Sequence, residues 1–325
     1  MGGMEIRAFR VGDLRAAAEL LAGRHGEHRK RHSLLPGEFE DPEVALVEVT
    51  SAWESEGASG AVLVEGDEVT GYLLGAPKSA VWGPNVWVEA AGFAVREPER
   101  VRDLYAVAAA KWVDEGRTAH YAVVPDDGGL IDAWFRLGFG SQHAHAIRAV
   151  PDQAVPERAV PHNPELTVRR ASRGDVSVLA ELDLVLPRHQ GLAPVFSAGV
   201  LPTYEEALRD WEESIDDPEY ATFVAEYNGR VIGSAVGCSL EKSSAHSGLA
   251  RPDNAGFLGF AAVFPEARGL GAGRALGEAV LQWCAEAAYN SVVTDWRVTN
   301  LLSSRTWPRL GFEQTFHRLH RLIGY

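Results

Sequence analysis

Cysteine and methionine are scarce, with two of each in 325 residues. Cys238 falls in an expected strand and Cys284 on the apolar side of an expected helix, so both read as core thiols rather than nucleophiles. There is no apolar run of 18 residues, and nothing ahead of Met4 reads as a secretory signal. Excess positive charge is also missing: 31 Lys and Arg face 45 Asp and Glu, a net charge of −14. Both halves of the chain are acidic, which excludes a basic nucleic-acid footprint but would attract a small cationic amine. A cytoplasmic protein with no nucleic-acid or membrane partner is expected. The oligomeric state is written in no feature.

What is present is ordinary globular composition, 46% apolar and 23% charged, in a chain longer than one hydrophobic core usually serves. The chain is written twice. "IRAFRVGDL" at 6–14 matches "VRRASRGDV" at 168–176, and "AVLVEGDEVTGYLLG" at 61–75 matches "FVAEYNGRVIGSAVG" at 223–237. Asp13 pairs with Asp175 and Gly71 with Gly233, both 162 apart. "RLGF" recurs at 136–139 and 309–312 at a wider offset, so the second half has gained residues, partly in the Ser/Gly/Pro/Asn-rich loop 239–254. The predicted domains are 1–150 and 166–325. The four prolines of 151–165 suit a linker. Each half alternates short strands with helical pattern around an Asn-Gly or Gly-Asp turn. This predicts two α/β units, each a mixed, mostly antiparallel sheet flanked by helices.

"PEARGLGAGRAL" at 265–276 follows the strand-like "FLGFAAV" and opens an amphipathic helix. A strand, a glycine loop and a helix N-terminus form an anion site, because unpaired N–H groups point outward and the helix dipole favours negative charge. Gly269, Gly271 and Gly273 permit positive φ and let a phosphate approach the main chain. Arg268 and Arg274 add charged donors. No Gly-Lys-Ser/Thr follows, so this is not a Walker A loop. A dinucleotide fingerprint is also a poor fit, because Leu276 stands where a small residue must pack.

Arg-x-x-Gly-x-Gly after a strand resembles the acyl-CoA signature of the GNAT superfamily, the GCN5-related N-acetyltransferases. Asn300, Ser303, Trp307 and Gly311-Phe312 follow at that family's intervals, so the resemblance covers 166–322. It implies acetyl-CoA, or another acyl-CoA, as co-substrate, with no metal. It further implies that the main chain of Ala261, Ala262 and Val263 pairs with the pantetheine arm. The N–H groups from Gly269 through Leu270, Gly271, Ala272 and Gly273 would hold the pyrophosphate with Arg268 and Arg274. Asn300 and Ser303 would border the arm. By its repeat the first half is GNAT-like too, but its matching stretch, 94–107, has no glycine, and Val101 and Leu104 are expected to crowd a pyrophosphate there.

Two departures bear on chemistry. Trp307 stands where the family often has a proton-donating Tyr, and an indole N–H is no practical general acid. Trp134 matches it in the first half, so packing is the expected role. The strand 257–263 carries no Glu to serve as base, which leaves Asp295, expected at a strand end beside the cleft, and His246, in the added loop, as candidates for base or substrate contact. "GRHGEHRKRHS" at 23–33 puts His25, His28 and His32 near helical spacing among basic residues, which reads as a solvated helix face. The expected activity is acyl transfer to a small-molecule amine. A non-catalytic acyl-CoA-binding protein and an aminoacyl-tRNA-dependent acyltransferase are the alternatives, the latter opposed by the acidity.

Overall fold

A computed structural model describes residues 3–324 apart from 151–162, 198, 245 and 247. Most of the expected linker therefore lies outside the described residues. The chain packs as two units. One comprises Met1–His145, His246–Pro252 and Gln314–Tyr325, and the other Ala146–Ala245 and Asp253–Glu313.

In the first unit β1 (Met4–Ala8) leads into α1 (Leu14–Arg29) and α2 (Pro42–Glu54). The hairpin β2 (Ser59–Glu65) and β3 (Glu68–Gly75) follows, then β4 (Asn85–Val88), β5 (Phe93–Val95) and α3 (Arg100–Asp114). β6 (Ala119–Pro125), α4 (Gly128–Arg136) and β7 (Gly140–Ala149) come next. An antiparallel sheet runs β1-β2-β3-β5, while β4 pairs in parallel with β6. Proline at the first position of α2, with the Asp41 carboxylate accepting from Glu43 N at 2.9 Å, fixes where that helix starts. The core gathers Phe93, Leu104, Tyr105, Trp112, Trp134 and Phe139.

The second unit repeats the plan with β8 (Leu166–Arg170), α5 (Val176–Asp183), α6 (Val185–Gly191) and α7 (Tyr204–Ser214). The hairpin β9 (Tyr220–Tyr227) and β10 (Arg230–Ser239), β11 (Ala255–Val263), α8 (Ala272–Glu286), β12 (Ser291–Arg297) and α9 (Leu301–Thr306) complete it. Its strands run in the order β8-β9-β10-β11-β12, antiparallel except for the parallel pair β11–β12. Asn228 and Gly229, at φ +51° and +73°, make the predicted hairpin turn.

The 162-residue offset is physical. Arg7 donates to both carboxylate oxygens of Asp13 at 2.8 and 2.7 Å, and Arg169 does the same to Asp175 at 2.8 and 2.9 Å. Gly71 lies under Leu104 of α3 as Gly233 lies under Leu276 of α8. A Cβ there would stand 3.2 and 3.3 Å from the leucine methyls, so both glycines let a helix close on its sheet.

The packing units differ from the contiguous halves of the sequence reading. The last strand, β13 (Glu313–Leu322), is antiparallel to β6 from Phe316↔Pro125 to Leu322↔Ala119 and packs in the first unit. Sequence pattern marks such a strand without saying which sheet receives it. A correction concerns the histidines of α1. His25 and His28 are buried, not solvated, with His28 edge-on to Phe316 at 4.8 Å. Of the basic residues around them, Arg24 shares the face of His28 and turns its guanidinium inward, while Lys30 and Arg31 are exposed.

Candidate active site

β11 is the strand read in "FLGFAAV". One edge pairs with β10 as far as Val263, but the other pairs with β12 only from Ala255↔Ser291 to Leu258↔Thr294. At that last rung the buried Thr294 hydroxyl donates to the Leu258 carbonyl at 2.9 Å. Immediately beyond it the register against β10 slips, leaving Gly259 as a bulge between Leu258, opposite Gly237, and Phe260, opposite Val236. A bulge bends its strand and increases local twist, so β11 and β12 part. The main chain of Ala261, Ala262 and Val263 therefore has a strand partner on one side only.

A cleft of about 560 Å³ lies along that open edge. Ala261, Ala262 and Val263 form one wall, with Arg268, Gly269, Gly271, Ala272, Gly273 and Arg274 across its mouth. Asn300, Ser303 and Trp307 face them. Leu270 belongs to the same loop but does not line the cleft. The loop conformation explains its composition. Gly269 and Gly271 have φ of +89° and +93°, where side chains are strained, and a Cβ on either would meet no atom within 4 Å. Packing within the protein thus leaves the space beside them open. Gly273 has ordinary helical geometry, and its absent Cβ would touch only a Val263 methyl at 4.0 Å. Alanine would favour the helix there by about 1 kcal/mol, so glycine keeps the first turn bare. As first-turn groups, the Ala272 and Gly273 N–H have no acceptor within α8, an arrangement that suits an anion. Arg268 and Arg274 both line the cleft, and Arg274 also pairs with Glu278, Nε to Oε1 2.7 Å.

Asn300 is buried and caps α9, its Oδ1 accepting from Leu302 N at 3.2 Å and Ser303 N at 3.5 Å. Asn300 thus sets the start of the helix that presents Ser303. Trp307 is buried, with its ring packed toward Phe312 and over Gly277, where a Cβ would stand 3.1 Å from the indole. Trp134 is fully buried in the first unit. The packing role predicted for both holds.

Asp295 lies inside β12, two residues before its end, rather than at its terminus. It is half-buried and lines a small recess of about 60 Å³ with Gly259, Phe260, Thr294, Asn300 and Trp307, where the two strands separate. His246 lines neither recess. It is buried in the first unit, its ring edge-on to His145 at 4.7 Å. Val101 and Leu104, expected to crowd a phosphate in the first half, instead point into its core, because α3 starts at Arg100 and turns them inward. Cys238 and Cys284 are free and buried, and burial pushes the Cys284 thiol up to about 12. Neither is a nucleophile at neutral pH.

Sequence reasoning missed Val185, Leu186 and His189 of α6, which line the cleft, with His189 Nε2 3.3 Å from Asn300 Oδ1. Their spacing of one and then three residues is the signature of a single helix face, but no local motif tells which helix of the unit borders the strand opening.

Residues 188–312 match the Acetyltransferase (GNAT) family. The aminoglycoside N(6')-acetyltransferase type 1 of Stenotrophomonas maltophilia is 29% identical over 150 residues, which is 46% of this chain and 87% of that protein. A GCN5-related N-acetyltransferase from Sphaerobacter thermophilus superposes with a TM-score of 0.57 at 17% identity, over 99% of this chain and 97% of that one. The fungal GCN5-related glucosamine N-acetyltransferase region of a multi-domain GH3 β-N-acetylglucosaminidase gives 0.51 at 14% identity, over 98% of this chain and 38% of that one. The two superpositions share the fold of this chain.

Proposed function

We propose that the second unit, where residues 188–312 match the GNAT acetyltransferase family, moves an acyl group from acyl-CoA, most simply acetyl-CoA, to an amine of a small molecule. The observation that carries this reading is the parting of β11 from β12 beside a glycine loop at a helix N-terminus. In this reading the open edge of Ala261, Ala262 and Val263 pairs with the pantetheine arm. The N–H groups between Gly269 and Arg274 take the pyrophosphate, and Arg268 adds a charged donor. Asn300 and Ser303 border the arm. The region 166–325 is then the acyl-CoA-binding domain, 151–165 its linker and 1–150 a degenerate copy.

The acceptor amine must be neutral to attack, yet its unperturbed pKa is near 10.4. Asp295, in the recess that shares Asn300, Ser303 and Trp307 with the cleft, would hold the ammonium form and receive its proton through water. An N–H of the β11 main chain near Val263 would meet the oxyanion as the thioester carbonyl becomes tetrahedral. Holding both reactants in one cleft supplies much of the acceleration. Trp307 serves as wall, not acid. His246, placed in the first unit, receives no role. The acidic chain and the aminoglycoside-acetylating relative both favour a cationic, amine-bearing acceptor of the aminoglycoside type.

Thiol release from acetyl-CoA, followed across a panel of amines that includes aminoglycosides, tests the proposal. At least one amine is expected to raise the rate. Asp295→Asn is expected to lower kcat/KM by about 10²–10⁴-fold, the usual range for a lost proton-transfer group, with CoA affinity retained. Equal kcat/KM in wild type and Asp295→Asn would remove that residue from the mechanism.

A further inference from the structure

The first unit has a cleft of its own, about 710 Å³, between α1, the β2–β3 turn and the ends of β5 and β6. The internal repeat relates it to the cleft just described. At the 162-residue offset, Gly23, Arg24 and Glu27 of α1 correspond to Val185, Leu186 and His189, and each trio lines its own unit's cleft. The middle pair differs most in chemistry, because a leucine in the second unit is an arginine in the first.

Arg24 is placed unusually. Its terminal nitrogens donate to the carbonyls of Phe93 and Ala90, while Nε is shielded from solvent and has no hydrogen-bond partner. Leu73 and Ala235 are again 162 apart, and Phe93 pairs with the first as Ala261 pairs with the second, so the Phe93 carbonyl is the counterpart of Ala261's. In the first unit a side chain of the protein therefore occupies the strand edge that the second unit leaves open. Burial pulls the Arg24 pKa down to about 10, and no described carboxylate offsets that. One turn further along the same face, His28 is 2% exposed and its Nε2 lacks a partner. Burial pushes its pKa down to about 3, so the ring is neutral at neutral pH. Three of the five acids that line the cleft are already matched: Asp127 with Arg31 at 3.0 Å, Glu68 with Arg96 at 2.8 Å and Glu27 with Lys30 at 2.5 Å.

We propose that this cleft is a binding site for a small oxyanion, a carboxylate or a phosphate, held by Arg24 and His28, and that it is not a second acyl-CoA site. A guanidinium carries five donors, of which the two carbonyls take two. Its planar fork suits carboxylate and phosphate. A side-chain adjustment that uncovers Nε would let an anion supply the counter-charge that the fold omits, and His28, uncovered with it in its Nε2–H tautomer, would donate a second bond. Glu19 and Asp67 at the edge of the cleft disfavour a highly charged ligand such as a pyrophosphate and favour a monoanion or a zwitterion. The site stands on the first unit alone and is independent of the transfer reaction.

The test uses the full chain with saturating CoA, so that the second-unit cleft is filled. Side-chain Nε–H resonances of arginine are followed by NMR during titration with inorganic phosphate and, separately, with acetate. A saturable shift of one resonance is expected with at least one of them, and which one responds identifies the class. Arg24→Leu, which installs the residue found at the matching position of α6, is expected to abolish saturation. His28→Leu is expected to weaken binding about tenfold and serves alone should Arg24→Leu not fold. Either of two results would overturn the proposal: no saturable shift with either anion, or affinity unchanged in the folded variants. Binding of two CoA molecules per chain, one of them displaced by phosphate, would overturn it as well.

Discussion

Replacing Gly271 by valine isolates the glycine loop as a phosphate-binding element. The residue has φ +93° and ψ −2° and forms the N-cap of α8. A non-glycine residue held in that region costs on the order of 1–3 kcal/mol, and a β-branched one belongs at the upper end. No protein atom lies within 4 Å of the new Cβ, so no packing clash adds to this cost. The fold should survive with a modest loss of stability. Binding should suffer more. The valine side chain would stand in the space before the Ala272 and Gly273 N–H groups. Charge-assisted hydrogen bonds contribute about 1.5–3 kcal/mol each, so losing two weakens CoA about 10²–10⁴-fold. Calorimetric titration with acetyl-CoA, alongside thermal unfolding, separates the two effects. A stable variant that binds acetyl-CoA as tightly as the parent would refute the assignment of pyrophosphate to this loop.

Four further outcomes are expected. Trp307→Phe should keep thiol release within about tenfold of the parent, since general-acid loss typically costs 10²–10⁴-fold; a loss of that larger size with CoA affinity intact would give the indole a chemical role. Calorimetry should return one acetyl-CoA per chain, abolished by Gly273→Asp and nearly unchanged by Arg100→Asp, whose guanidinium already faces Glu65, Glu97 and Asp103. Gly233→Ala should destabilise the second unit by about 1–3 kcal/mol through overpacking, because its Cβ would lie 2.8 Å from the Ala262 carbonyl oxygen; unchanged chemical denaturation would contradict this. Hydrogen bonding from Arg169 holds the Asp175 carboxyl down to about 2, against 3.8 unperturbed. Its stabilisation is therefore full above about pH 4 and is lost as pH falls toward 2. Asp175→Asn should be less stable near neutrality and show a flatter acid-unfolding profile than the parent.

The glycine loop of the candidate site was legible because its conformation is set locally. Three glycines, two arginines and a following helix lie within ten residues, and backbone conformation demands glycine at two of them. The repeat was legible for a similar reason, since Asp13 and Asp175 each bind an arginine six residues earlier. Features set by tertiary contact were not. Nothing around Glu313–Leu322 says that this strand joins β6, and the alternating pattern of 23–33 could not tell a buried histidine face from a solvated one. Asp295 was found by its place after a strand, while its position relative to the strand end depended on where pairing with β11 stops. His189 carried only the spacing of a helix face, because only the divergence of β11 and β12 brings α6 to the cleft.

The most direct test of acyl transfer in the second unit counts both products at once. The full chain is incubated with acetyl-CoA and an activating amine, and free CoA thiol and N-acetylated amine are quantified together by mass spectrometry. Equal amounts of the two are predicted, with both lost in Gly273→Asp and both retained in Arg100→Asp. Thiol release without acetylated amine, or turnover that survives Gly273→Asp but not Arg100→Asp, would contradict the account.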